Sequence, residues 1–62
     1  MQIESTDKRK ANLIQQVIDL LDKGRSIHDA VFLVRRKSEM AHHMPPSERV
    51  LTRWVFQELI DV

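Results

Sequence analysis

A chain of 62 residues holds one domain with one small core, and its ten Lys and Arg against nine Asp and Glu leave a net charge of only +1. Cysteine is absent, which excludes disulfides, thiolate metal sites and cysteine nucleophiles together. No apolar run approaches the ~18 residues of a membrane span and no signal-peptide pattern follows Met1, so the expected setting is soluble and cytoplasmic.

Met1 to Asp7 is polar and is expected to be a flexible N-terminus, with residues 8–62 forming a single three-helix domain. Thr6 or Asp7 suits the cap of a first helix running from about Lys8 to Lys23. Its apolar set is Ala11, Leu13, Ile14, Val17, Ile18, Leu20 and Leu21. At ~100° per residue these cover an arc of about 180°, wider than the ~100° stripe of an ordinary surface helix. Gly24 is the only glycine, and it stands where the helix should stop, because φ > 0 costs glycine little.

Ser26 then caps a second helix, with Asp29 three residues on as an imperfect capping box. Ile27, Ala30, Val31 and Val34 form the inward stripe, Leu33 lies at its edge, and Phe32 is left over. Arg35, Arg36 and Lys37 fall in the last turns, where cations suit the carbonyl end of the helix. From Ser38 to Met44 the chain fits either a polar loop or another turn or two of helix carrying Met40, Ala41 and Met44. Pro45-Pro46 ends any such continuation. Pro46, Ser47 and Glu48 all suit the first turn of a third helix.

In that third helix Val50, Leu51, Trp54, Val55, Leu59 and Val62 share one broad face, with Trp54 as a core anchor. Phe56 and Ile60, at i and i+4, project roughly 140–180° from Leu51. Glu58 lies near the middle of the main face. Either the helix end splays and lets it reach water, or it forms a partly buried ion pair with an arginine. One small core cannot cover two apolar stripes. The expected fold class is therefore all-α, a small three-helix unit dimerising into a helical bundle, with Phe32, Phe56 and Ile60 at the dimer or partner interface.

Catalysis finds little support. His42 and His43 are adjacent and would point about 100° apart on a helix, while His28 starts another helix beside Asp29. No Gly-rich phosphate loop, His-Glu-x-x-His pair or Ser-His-Asp framework is present. No metal, no cofactor and no enzymatic activity are expected. Met40 and Met44 suit gap-filling more than a Met-rich groove. The basic clusters, Lys8-Arg9-Lys10, Lys23 with Arg25, and Arg35-Arg36-Lys37, read as solvated faces unless the fold gathers them.

Two family resemblances bear on function. Leu20-Leu21-Asp22-Lys23-Gly24-Arg25-Ser26-Ile27, with Ala30 and Leu51-Thr52-Arg53-Trp54, resembles the homeodomain-like helix-turn-helix module of transposases. That resemblance implies a last helix reading the DNA major groove through Arg49, Thr52, Arg53 and Gln57, with Arg35, Arg36 and Lys37 as further candidate contacts. From about Val17 to Ile60 the spacing also resembles the AriR-like biofilm and acid-resistance regulators of enteric bacteria, or two-component connector proteins. It lies in a Leu-rich helix ending at Gly24, an apolar helix after Ile27, a polar loop, and Leu51-x-Arg53 in the last helix. It implies a bacterial homodimer that regulates transcription or signalling by engaging a regulatory protein. The long stretch between Ile27 and Trp54, with Pro45-Pro46 inside it, suits the second family better than the tight transposase turn. The leading expectation is a protein-contact regulator, and the alternative is a DNA-binding helix-turn-helix protein.

Overall fold

Two residues in the left-handed region of backbone space cut the chain into its three helices. They are Gly24 at φ +97° and His42 at φ +63°. The structure, a computed structural model, describes residues 3–61, and side chains for residues 8–60. The flexibility expected at Met1 and Gln2, and the place of Val62 on the apolar face, lie outside the described residues. The helices are α1 (Ile3–Asp22), α2 (Ile27–Met40) and α3 (Glu48–Asp61). No strand occurs among the described residues, so the fold class is all-α.

Each helix end has an identifiable cause. At the end of α1 the Gly24 N–H donates to the Leu21 carbonyl and the Arg25 N–H to the Leu20 carbonyl, both at 3.0 Å. This paired closure satisfies carbonyls that the helix leaves without partners, and it needs a positive φ at residue 24. The end of α2 repeats it: His42 N–H donates to Glu39 O at 3.0 Å and His43 N–H to Ser38 O at 2.9 Å. Here a histidine takes the strained position. At the helix starts, the Ser26 hydroxyl accepts from Asp29 N–H and the Ser47 hydroxyl from Val50 N–H, each at 3.2 Å. Both serines are therefore caps.

Several expected boundaries move. α1 begins at Ile3, five residues before the expected Lys8, so Thr6 and Asp7 lie inside the helix and do not cap it. α2 stops at Met40, leaving Ala41 to Met44 outside it. Ser47 caps α3, so Pro46 precedes the cap and does not occupy the first turn.

The core consists of Leu13, Ile14 and Val17 from α1, Ala30, Val31 and Val34 from α2, and Leu51 and Val55 from α3. Ile18, Leu20, Leu21, Ile27 and Trp54 pack against its margin. The backbone measures 36 × 29 × 19 Å, so every helix keeps a solvent side. That thinness explains three corrections to the expected core. Ala11, Val50 and Leu59 are exposed, because the flanks of the wide apolar arcs on α1 and α3 have no neighbour to cover them. Glu58 is also exposed and is not buried in the core.

Three polar contacts fasten the helices outside the core. Lys10 Nζ stands 4.9 Å from the centre of the Trp54 ring, linking α1 to α3 by a cation–π contact. Arg35 Nε donates to Pro46 O at 2.8 Å. His28 Nδ1 lies 2.7 Å from Glu48 Oε2, joining the starts of α2 and α3.

Candidate interaction faces

The outward face of α3 carries the first candidate site. Arg49, Thr52, Arg53, Phe56, Gln57 and Ile60 line one shallow depression, and all six come from that single helix. The spacing explains the grouping, since positions 49, 53, 56 and 60 follow the i, i+4, i+7, i+11 rows of one helix side. Phe56 is 48% exposed and Ile60 is 81% exposed. Leu59, beside them and 46% exposed, extends the apolar area toward the α1 side of the helix, where it borders a depression also lined by Ile14 and Ile18. The two sets of residues anticipated for protein contact and for base reading thus occupy the same surface. Arginines hold its N-terminal half and apolar side chains its C-terminal half.

Phe32, expected at the same interface, is 52% exposed on α2 but does not line this depression. The basic triplet of α2 is also divided. Arg35 is partly buried and spends its Nε–H on the Pro46 carbonyl, so its packing role is local. Arg36 and Lys37 point to the opposite side of α2, into a trough against α1. None of the three joins Arg49 and Arg53.

That trough is the second candidate site, and sequence reasoning located its residues without grouping them. Lys8, Arg9, Lys37 and His43 line its upper part around Asn12 and Leu13. Lys23, Arg36 and Lys37 line its lower part around Leu20 and Leu33. Gln16, Val34 and Lys37 border both parts, so the two adjoin along the α1–α2 seam. Gln16 Nε2 donates to Asn12 Oδ1 at 2.8 Å along its α1 wall. Asp19 is the single acidic side chain among the described lining residues.

The histidines stand apart from one another in role. His28 faces Glu48, His42 forms the left-handed turn and His43 enters the trough. Among the described residues no three His, Asp or Glu side chains are grouped to hold a metal ion. No described helix is long and apolar enough to cross a membrane. Comparison with protein-family models, with curated proteins and with solved structures gives no significant match.

Proposed function

We propose that the protein is a small helical regulator that acts as a homodimer through the outward face of α3. The observation that carries this reading is the exposure of Phe56 and Ile60 one turn apart on a helix whose other side already fills the core. Leaving two large apolar side chains in water forgoes roughly 1.5–3 kcal/mol for each that could be buried. A second copy is the occupant that suits the arrangement of charge. In an antiparallel pairing, Phe56 of one copy meets Ile60 of the other, and Arg49 and Arg53 fall outboard at either end. The four arginines then lie apart, whereas a parallel pairing would set like charges side by side. An apolar centre with a charged rim is the ordinary anatomy of a protein interface. A regulatory role follows the AriR-like spacing and a shallow site built from one helix alone, which suits a protein surface more than an enclosed small substrate.

Sedimentation equilibrium of wild type beside Phe56→Asp tests the proposal. A dimer mass for wild type and a monomer mass for the variant is the expected result. Equal monomer masses for both overturn it.

One observation favours a second reading. Arg49, Thr52, Arg53 and Gln57 share this face, as a recognition helix would require. Phe56 and Ile60 then sit where phosphates and base edges should lie, which disfavours it. The two uses exclude each other on one helix side. Arg53→Ala separates them: a base-reading arginine is worth about 1–3 kcal/mol of DNA affinity, and an outboard arginine contributes little to a dimer.

A further inference from the structure

We infer that the trough between α1 and α2 binds the phosphate backbone of duplex nucleic acid. Half of the Lys and Arg residues in the chain, five of ten, line it. They are Lys8, Arg9, Lys23, Arg36 and Lys37, with Asp19 the only opposing carboxylate among the described lining residues. The net charge of +1 conceals this, because three other acids of the chain lie away from the trough. Asp29 lies at the start of α2, Glu48 faces His28, and Glu58 borders the α1–α3 side. Members of three basic clusters from separate stretches of sequence are thus gathered along one trough.

The layout selects the ligand. Lys8 on α1 and Lys23 one residue past its end are fifteen residues apart, which is about 22 Å at ~1.5 Å per residue. A single phosphate or small anion would need cations converging on a point. A row of this length fits a repeating anion, since 22 Å spans about six base-pair steps along a duplex axis at ~3.4 Å each. Asn12 and Gln16 add neutral hydrogen-bonding groups along the same wall. No aromatic side chain lines the trough, so it lacks the stacking platform on which single-stranded bases are held. Duplex backbone is the form that needs only charge and hydrogen bonds. The left-handed turn at His42 delivers His43 to the same place, beside Lys8, Arg9 and Lys37. No residue of α3 lines the trough, so this inference stands independently of the dimer.

Fluorescence anisotropy with a labelled duplex of about 20 base pairs, titrated at several salt concentrations, tests it. Wild type, Arg36→Ala/Lys37→Ala and Arg49→Ala/Arg53→Ala are compared, with circular dichroism confirming equal helix content. All four arginine and lysine positions lie on the surface. Five phosphate contacts predict a plot of log affinity against log salt with a slope of about −4.5, and losing two of them lowers its magnitude by about 2. The α3 pair of substitutions leaves affinity and slope unchanged. Absence of binding at about 50 mM salt overturns the inference, as does loss of binding on the α3 substitutions with none on the α2 pair. Vesicles containing phosphatidylserine form the comparison arm: binding to them without binding to duplex likewise overturns it.

Discussion

Arg35 reaches from the C-terminal half of α2 to donate through Nε to the carbonyl oxygen of Pro46 at 2.8 Å, one residue before the Ser47 cap of α3. The contact fixes where the long α2–α3 connection ends and so where α3 starts. Arg35→Ala is expected to cost about 1 kcal/mol, the lower range for a charge-assisted hydrogen bond because the group is only partly buried. Urea denaturation measures it. The neighbouring Arg36→Ala, exposed and without a comparable contact, should stay within about 0.5 kcal/mol of wild type.

The two left-handed residues make opposite predictions. Gly24→Ala introduces a Cβ into open space, with nothing within 4 Å, so its entire cost is conformational. It should destabilise by about 1–2 kcal/mol. His42→Gly relieves strain of the same origin and should stabilise by up to about 1 kcal/mol, reduced by the greater freedom of glycine in the unfolded chain. Thermal melts of both variants at one concentration check the pair of signs.

Leu51 is completely buried among the eight core side chains. Leu51→Ala should cost on the order of 3 kcal/mol. Total stability for a domain this size is roughly 3–9 kcal/mol, so the variant should approach or pass the point of unfolding. Retention of a sharp unfolding transition near the wild-type midpoint would contradict the description of this core.

Association through α3 predicts that the melting temperature rises with protein concentration, because a partner that binds only the folded chain stabilises it by mass action. Phe56→Asp should remove that dependence. Differential scanning calorimetry across about a hundredfold range in concentration reads the effect directly.

Lys10 and Trp54 provide a fifth test. Lys10→Gln removes the cation standing 4.9 Å from the indole centre and should cost about 0.5–1 kcal/mol, with a shift in Trp54 emission. An unchanged spectrum would place the ammonium elsewhere in solution.

Much of this fold can be read from pattern alone, and its departures have physical reasons. Gly24 and Ser26 bracket the first turn because their local chemistry is decisive. Ala30, Val31 and Val34 are buried as their spacing requires, and Phe56 and Ile60 are exposed opposite Leu51 and Val55. The extension of α1 back to Ile3 carries no apolar period that would announce it. The stop at His42 is hidden because histidine does not advertise a positive φ as glycine does. Val50 and Leu59 look like core because a periodicity count ignores how many neighbours exist to cover a wide arc. The basic trough is the largest gap. It depends on which sides of α1 and α2 meet, and Lys8, Lys23 and Lys37 share no local pattern that could reveal their common surface.

The geometry at residue 42 has a stereochemical consequence. A backbone angle of +63° is a ground-state conformation for an amino acid of the mirror-image hand. A chain of 62 residues is accessible to chemical ligation, and installing D-histidine at this one position would keep the imidazole while reversing the steric preference. Such a semi-synthetic protein would melt higher than its all-L counterpart, and any change in the behaviour of His43 would then report on the turn itself.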